Sequence, residues 1–502
     1  MKRMVFTALC ALLFAGSFAS AQEFDFGTDS SDSGDFGGFG SAAEPALTWS
    51  GEVGAKARTW LDTEDGYSSF SDFFKSDTSA GAYLKLGFEY SGSRTDIDVK
   101  LKVDTDTIKE HPEDVLDEAT VRGHFGNLTV EAGKMKSVWG KGDKLHVLDN
   151  FNANDYTDFI FPDYIDRRIA EPMLKLSYAL PSDANLKIEG VYTPLMTADR
   201  FATGGRLQPH SQKLIEGAVS AGAASMMAHA AEPARTLFLM NAASLASDTD
   251  SLYPDTRRLK YGQFGARVTG TLAGFDLGAS YYYGHKKQPS LNMGKLASYL
   301  AKRLSGQASG EDDKFLDYDT LHVFGLEMAK VIWKLNTRWE LAYNMTNDFD
   351  GSNPNVFNNS VAWLAGFDID LPLHNLNLNV QETGTAVLAT GDLKRNVRNQ
   401  GWDVDYNKDG RYVNNKLVAL LKDTFMNEKI SIELQGIWGI ENKEFVIIPK
   451  FTFTVIDGLS FSGQVAFMRS ETSYGEIFNF VDAQDDDSGS QMFAQLGVKY
   501  TF

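Results

Sequence analysis

Apolar and polar residues alternate with a period of two along the C-terminal segment of the chain. Counting back from the last residue, every second position is apolar: Phe502, Tyr500, Val498, Leu496, Ala494 and Met492. The positions between them are polar or small, with Phe493 as the one exception. This period predicts a β-strand whose two faces contact different environments.

Similar alternating segments recur from Leu47 onward, and charged residues share one of the two faces. The residues expected on that face are Lys56, Arg58, Lys85, Glu89, Lys100, Lys102, Glu131, Lys187, Glu189, Glu433 and Lys450. Alternating segments of about 10 residues are typical of transmembrane barrels, which meet lipid on one face and an aqueous lumen on the other. The sequence therefore predicts an all-β, antiparallel transmembrane barrel of about 18 strands, within a range of about 16 to 18.

The connections between these segments alternate between short and long. The short ones are Ser91–Ser93, Gly126-Asn127, Pro181–Ala184, Ala273-Gly274, Ile332-Trp333, Pro372–His374, Met426–Lys429 and Ile456–Gly458. The long ones are Asp104–Leu116, Met135–Arg168, Pro194–Lys260, His285–Asp317, Thr346–Asn355, Gly391–Arg411 and Glu471–Gly489, and only Glu441–Glu444 breaks the alternation. Short periplasmic turns and long outer loops are a property of such barrels.

The N-terminal region has the composition of an export signal followed by a flexible segment. A basic start, an apolar stretch and Ala19-Ser20-Ala21 predict a signal peptide over residues 1–21. Residues 22–45, rich in Gly, Ser, Asp and Phe, predict a flexible periplasmic tail before a barrel over 46–502. The only cysteine, Cys10, lies in the signal, and the net charge of −19 argues against a nucleic-acid partner.

The C-terminal strand resembles the sorting signal of bacterial outer-membrane barrels. Val498, Tyr500 and the terminal aromatic Phe502 carry that resemblance. It implies recognition by the barrel assembly machinery, contact with outer-membrane lipid, and location in the outer membrane of a diderm, Gram-negative-type bacterium. We further expect this strand to close the barrel against Leu47–Trp60, where Gly51 and Gly54 ease the fit.

The segment from Gly133 to Tyr192 contains a second resemblance. It includes Gly133-Lys134, Trp139-Gly140, Pro172-Met173-Leu174 and Glu189-Gly190-Val191-Tyr192. This order is similar to a porin-like family of outer-membrane barrels of unknown function. The resemblance covers about 60 residues and implies a barrel of that class, without a substrate.

The connection from Met135 to Arg168 is the leading candidate for controlling passage. It holds several aromatic residues and two arginines, so it either folds into the bore or packs over the rim. The predicted pore and constriction residues are Trp139, Lys141, Arg167, Arg168, Lys100, Lys102, Glu131 and Glu189. The interleaved charges form either a solvated, ion-paired wall or a path that favours particular solutes.

Helices are expected in two of the long connections. The Ala- and Met-rich stretches Leu214–Ala231 and Ala234–Ala246 predict a helical hairpin within an insertion over 194–260. That hairpin is a possible plug of the lumen or cap over its mouth. Asn292–Leu304 predicts a further amphipathic helix, with leucines on one face.

Two sets of residues in the sequence bear on metal binding and catalysis. Asp405, Asn407 and Asp409 match the first half of a calcium-loop pattern, but the twelfth position is Lys416, so a plain turn is favoured over a structural Ca²⁺. No other cofactor is expected. The eight histidines follow no nucleophile motif, and no enzymatic activity is expected.

The sequence as a whole predicts a porin-like channel for small solutes across the outer membrane. Bore size supports this, because barrels of sixteen to eighteen strands enclose an aqueous channel. One alternative is a gated transporter or exporter of hydrophobic or lipid-like molecules, with the Ala- and Met-rich helices as its gate. A second alternative is a surface adhesin whose outer loops bind a partner.

Overall fold

The protein is a closed antiparallel barrel of eighteen strands. The computed structural model describes residues 46–61, 77–247, 252–308, 310–393, 406–481, 483–485 and 488–502. The predicted signal peptide and periplasmic tail lie outside the described residues. Each strand pairs with its sequence neighbours, and the last pairs with the first. The predicted fold class is therefore confirmed.

The eighteen barrel strands are numbered here in chain order. The first nine are β1 (Ala46–Leu61), β2 (Thr78–Ser91), β3 (Thr95–Asp104), β4 (Leu116–Phe125), β5 (Leu128–Met135), β6 (Glu171–Ala179), β7 (Lys187–Thr193), β8 (Gln263–Leu272) and β9 (Phe275–His285). The others are β10 (Thr320–Ile332), β11 (Leu335–Met345), β12 (Ser360–Asp370), β13 (Asn377–Val387), β14 (Val413–Phe425), β15 (Ile430–Gly439), β16 (Glu444–Ile456), β17 (Leu459–Ser470) and β18 (Ser488–Thr501).

The barrel closes between β18 and β1, as the sequence predicts. Their register runs from Glu52 opposite Thr501 to Leu61 opposite Met492. Gly51 and Phe502 exchange both backbone hydrogen bonds, at 2.8 and 2.9 Å. A side chain at Gly51 would overlap the Phe502 ring, so this glycine leaves space for the terminal aromatic.

The predicted assembly residues line the outside of this seam. Val498, Tyr500 and Phe502 alternate with Lys499, whose ammonium pairs with Glu52 at 3.0 Å. The Phe502 ring lies 6.1 Å from Tyr500 and 5.7 Å from Trp49, centroid to centroid. Their placement fits an aromatic belt, while recognition by an assembly machinery stays a prediction.

The wall has two chemically different faces. Along β6, Leu174 and Leu176 are 42% and 44% exposed on the outside, whereas Met173 is 4% exposed on the inside. The same alternation gives apolar outer positions on most strands, while most of the charged residues predicted for the inner face form ion pairs with other wall residues or with a loop inside the barrel. A closed barrel with an apolar exterior and a polar interior is a membrane-spanning barrel.

The inner face also explains the one exception in the alternation of β18. Phe493 is fully buried and packs 5.0 Å from Trp60 and 4.6 Å from Phe161, centroid to centroid. The Arg58 guanidinium lies 4.1 Å from its ring centre. An aromatic residue therefore points inward at this position because a loop inside the barrel covers it.

Connections at the two ends of the barrel differ in length as predicted. Eight short turns, each of seven residues or fewer, join the strands at one end, the turn end. Longer connections lie at the other end, the loop end, with the tight turn at 440–443 as the exception the sequence predicts. Left-handed residues occur at several short turns, including Trp333, His374 and Met426.

Within the described residues, five α-helices lie in the loop-end connections. They are α1 (Thr105–Lys109), α2 (Tyr164–Arg167), α3 (His210–His229), α4 (Ala234–Ser247) and α5 (Met293–Leu304). The last three confirm the predicted helices, and Asn292 accepts a hydrogen bond from the Lys295 backbone at the start of α5. Helices α1 and α2 are too short for the sequence pattern to identify.

The long helices α3, α4 and α5 pack together as one unit, the helical cap. Its core contains Val219 and Ala223 of α3 with Leu296, Tyr299 and Leu300 of α5. No helix among the described residues has both the length and the apolar character needed to cross a membrane.

Candidate functional site: a loop folded into the lumen

The connection between β5 and β6 folds into the barrel and occupies part of its lumen. This segment, residues 136–170, is called the lumen loop. Its side chains and backbone contact β1, β2, β7, β11 and β13, which lie on different sides of the barrel. The sequence leaves two positions open for this connection, inside the bore or over the rim. The structure shows it inside the bore.

The loop enters the lumen through an aromatic contact with β7. The Trp139 indole nitrogen donates a 2.7 Å hydrogen bond to Glu189 Oε1. Trp139 is only 1% exposed and packs 4.9 Å from Phe151, which packs 5.1 Å from Tyr282 of β9. Apolar packing and one buried hydrogen bond thus fix the start of the loop.

Glu340 of β11 is the main attachment point of the loop backbone. Its fully buried carboxylate accepts hydrogen bonds from the backbone nitrogens of Lys141 and Gly142 at 2.7 Å and of Val147 at 2.8 Å. The His146 imidazole adds a contact at 3.2 Å. Several donors converging on one carboxylate stabilise the charge in a buried setting.

Gly140 lets the loop approach Glu340 this closely. It has a φ of 114°, which favours glycine, and a side chain there would overlap the Glu340 carboxylate and His146. The Trp-Gly pair recognised in the sequence therefore provides an anchoring ring followed by a conformation suited to glycine.

Side chains of β13 hold the next part of the loop. Gln381 Oε1 accepts hydrogen bonds from the backbone nitrogens of Lys144 at 2.9 Å and Leu145 at 3.1 Å. Asp143 pairs with Arg338 at 2.8 Å and accepts from Asn379 at 2.7 Å. Burial raises the pKa of Asp143, against the opposing effect of the Arg338 charge.

Ion pairs attach the far part of the loop to β1 and β2. Asp158 accepts a 3.0 Å hydrogen bond from Arg58 Nη2, and Asp166 accepts from the Lys85 ammonium at 2.9 Å. Burial alone would raise the pKa of Asp166, but the Lys85 charge outweighs it and holds that pKa below its ordinary value. The predicted lumen residues Arg58 and Lys85 therefore face inward.

The loop also has an internal ion pair. Arg168 lies 2.7 Å from Asp149, and both side chains are almost fully buried. Tyr164 donates to the same carboxylate, and burial together with the Asp149 charge raises the pKa of this tyrosine. The phenol therefore stays neutral and acts as a donor.

A cavity of about 420 Å³ remains between the lumen loop and the opposite wall. One side of it is formed by the loop, from Lys144 to Arg168. The other side is formed mainly by β14 to β17 and the loop-end residues near them. The charged residues lining the cavity are Lys144, Asp149, Asp163, Arg167, Arg168, Lys416, Glu433, Glu441, Glu444, Lys450 and Glu476.

Most carboxylates on the wall side already have partners. Glu476 forms an ion pair with Lys416, and Glu433 lies between Lys422 at 3.6 Å and Lys450 at 3.7 Å. Glu444 accepts backbone hydrogen bonds from Ile477 at 2.8 Å and Phe478 at 3.2 Å. The wall side is thus a polar, internally paired surface.

The predicted constriction residues occupy three different environments. Arg167 and Arg168 line the cavity. Trp139 and Glu189 bond each other behind the loop, and Lys141 contributes its backbone to the Glu340 contact. On the wall, Lys100 pairs with Glu118 at 3.2 Å, Lys102 with Asp104 at 3.6 Å and Glu131 with Arg122 at 3.1 Å.

Two residues that organise the loop, Glu340 and Gln381, are absent from the predicted set. They are single polar residues on inward positions of β11 and β13, about 200 residues from the backbone groups they bind. Strand alternation places them on the inner face, but no sequence pattern identifies their partners.

The calcium-like segment is described only in part. Asp405 lies outside the described residues. Asn407 Oδ1 accepts backbone hydrogen bonds from Asp409 at 3.1 Å and Arg411 at 3.0 Å, and Asp409 pairs with Lys408. No cluster of three or more potential metal ligands occurs in the described part of the chain. A cation at this turn stays a prediction.

Comparisons with known proteins place the chain near porin structures at low similarity. No family model and no curated protein matches the chain. The OpdQ structure from Pseudomonas aeruginosa shares 10% identity over 91% of this chain and 97% of that chain, with a TM-score of 0.43. OccK11 (OpdR) from the same organism shares 10% identity over 91% and 96%, also at 0.43. A mutant of the Rh. blastica porin shares 10% identity over 91% and 100%, at 0.35.

Proposed function

We propose that the chain is an outer-membrane porin-like channel through which small hydrophilic solutes pass passively. The supporting observation is the charged cavity between the lumen loop and the wall of a membrane-spanning barrel. The volume of this cavity, about 420 Å³, is on the scale of a small molecule. It is much smaller than the aqueous lumen that an unobstructed barrel of eighteen strands would enclose.

In this proposal selection depends on size and charge, with no chemical step. The loop sets the free cross-section, and the charged side chains that line the cavity set the local field. Because most of those side chains are held by hydrogen bonds and ion pairs, the field has a largely fixed pattern. The apolar exterior contacts outer-membrane lipid, and the strand ending at Phe502 is the one recognised for assembly.

The helical cap completes the proposal at the loop end. Its contacts are with the neighbouring loops: His210 Nε2 lies 2.8 Å from the Val481 carbonyl, and the Ser211 backbone N–H donates a 2.8 Å hydrogen bond to Asn479 Oδ1. This arrangement supports a cap over the mouth better than a plug in the bore.

Recording of single channels in planar bilayers tests the function. The purified, refolded chain should give small, steady conductance steps. A folded barrel that stays silent would overturn the proposal and favour the gated exporter or the adhesin. Heat-modifiable mobility on a gel verifies that the silent protein is folded.

A further inference from the structure

We propose that Arg167 binds the carboxylate or phosphate group of a solute inside the cavity. Lys144, on the same loop side, supplies a second cation. This inference rests on the proposed channel function and adds the chemical class of the solute to it.

Arg167 differs from most of the other charged residues around the cavity, because its charged group has no hydrogen-bond or ion-pair partner within the described residues. Within the described residues its guanidinium forms no hydrogen bond or ion pair, and its Nε atom is shielded from solvent without an acceptor. A guanidinium stays charged in proteins, and a buried donor without an acceptor costs free energy. An oxyanion that entered the cavity would satisfy these donors.

Two tyrosine rings hold this guanidinium in position. Its central carbon lies 5.8 Å from the Tyr156 ring centre and 5.9 Å from that of Tyr164. Tyr164 is itself fixed by its hydrogen bond to Asp149. These two cation–π contacts restrain Arg167 before a solute arrives, which lowers the entropy cost of binding.

The neighbouring arginine shows what Arg167 lacks. Arg168 lies 2.7 Å from Asp149, is buried with it and donates to Asn154 at 3.2 Å, although its Nε, like that of Arg167, has no acceptor. The two adjacent arginines therefore have different roles. Arg168 stabilises the fold of the loop, and the guanidinium of Arg167 remains available to bind another group.

The carboxylates nearest to Arg167 do not satisfy it. Glu476 lies within its field, and the Lys416 charge, ahead of Arg167, lowers the pKa of Glu476, but Glu476 forms its ion pair with Lys416. Asp163 accepts the Arg167 backbone N–H through its carbonyl at 3.1 Å, while its exposed carboxylate makes no ion pair with the guanidinium.

The shape of the donor group limits what binds. A guanidinium presents paired N–H donors that match the two oxygens of a carboxylate or phosphate. Lys144 adds a point charge: its backbone nitrogen is bonded to Gln381, and its ammonium has no partner within the described residues. Small solutes that carry one oxyanion group fit this arrangement.

Blocking of the ion current tests the proposal directly. Channels are recorded in potassium chloride, with potassium acetate or inorganic phosphate added in steps. Both anions should reduce the wild-type current, and the more potent one identifies the preferred group. In Arg167→Gln the half-blocking concentration should rise about tenfold, the effect of losing one charge-assisted bond. Arg167→Lys keeps the charge but loses the paired N–H donors. Its half-blocking concentration should lie between those of the wild type and Arg167→Gln.

The matched control is Lys334→Gln in the turn between β10 and β11, which makes the same charge change at the turn end. The half-blocking concentrations of both anions for this variant should equal those for the wild type. Equal block of wild type and Arg167→Gln at intact conductance would overturn this inference and leave the channel function standing. Silence of the folded wild type would overturn the channel function and, with it, the inference.

Discussion

The lumen loop and the helical cap are both long insertions in the same barrel, but different forces hold them. Directed contacts from the wall fix the loop: Glu340, Gln381 and Glu189 each bind a defined donor. The cap is held mainly by apolar side chains packed between helices, such as Leu300 and Phe315. Polar contacts add to this packing, for example Asn241 to the Leu304 carbonyl at 2.8 Å and Lys302 to Asp313 at 2.5 Å.

This difference indicates how tightly each insertion is positioned. Hydrogen bonds depend on distance and angle, whereas apolar packing is non-directional. The loop therefore has one defined place in the bore, as a filter requires. The cap needs only to cover its apolar surface, which leaves its position less strictly specified.

The largest expected effect is that of Glu340→Ala. It removes the acceptor of three backbone N–H groups, and each stranded buried donor costs about 1–3 kcal/mol. The loop should leave its position, and single-channel conductance should rise well above the wild-type value.

Glu382→Ala is the matched control for this change. Glu382 adjoins Gln381 on β13 and so points to the opposite face, where it accepts from the Trp363 indole at 3.2 Å. Unchanged conductance in Glu340→Ala would show that Glu340 does not hold the loop.

A smaller effect in the same direction is expected from Gly140→Ala. The new methyl group would overlap Glu340, and the positive φ would strain the backbone by about 1 kcal/mol or more. Conductance should become higher and noisier. Gly204→Ala is the control, because no atom lies within 4 Å of a side chain there. Identical traces for both variants would contradict the close-approach argument.

Acid pH should weaken the attachment of the lumen loop to the wall, because Asp166 becomes protonated. The effect on the current should be smaller than that of Gly140→Ala. Its folded pKa lies below the ordinary value of 3.8, so the Lys85 pair stabilises the docked loop above that value and is lost as pH falls through the folded pKa. Current noise should therefore stay low at pH 5 and increase below pH 4. Asp166→Asn should be noisier at neutral pH and lack the acid-dependent part; an unchanged profile would count against this ion pair.

The smallest effect is expected from removing the cap helices. Replacing residues 210–247 with a short Gly-Ser linker removes contacts to other loops and leaves Glu340 and Gln381 in place. Conductance should stay close to the wild-type value. A large increase would show that the helices plug the bore, and a wild-type-sized channel would confirm their place outside it.

The sequence predicts the barrel well because each strand carries its own signal. Alternation along β18 and the short turns require only neighbouring residues, and the structure confirms both. The position of the loop could not be decided in the same way. It depends on contacts such as Lys141 with Glu340 and Lys144 with Gln381, which join residues about 200 positions apart.

The roles of the candidate-site residues show the same difference between what neighbouring residues determine and what distant contacts determine. The strand period alone predicts that Arg58, Lys85 and Glu189 face inward, and the structure confirms this. Whether such a residue lines the cavity or binds the back of the loop depends on packing. Trp139 illustrates this: its ring is an anchor that lies away from the cavity.

The ties between the lumen loop and distant strands also have a mechanical consequence. A tube whose wall is a single sheet flattens easily when the surrounding membrane presses on it. Here the lumen loop forms hydrogen bonds with Arg58, Glu189 and Gln381, which lie on well-separated parts of the barrel circumference. The cross-section is thereby braced from within, so that its shape is set by the protein rather than by lateral pressure in the bilayer.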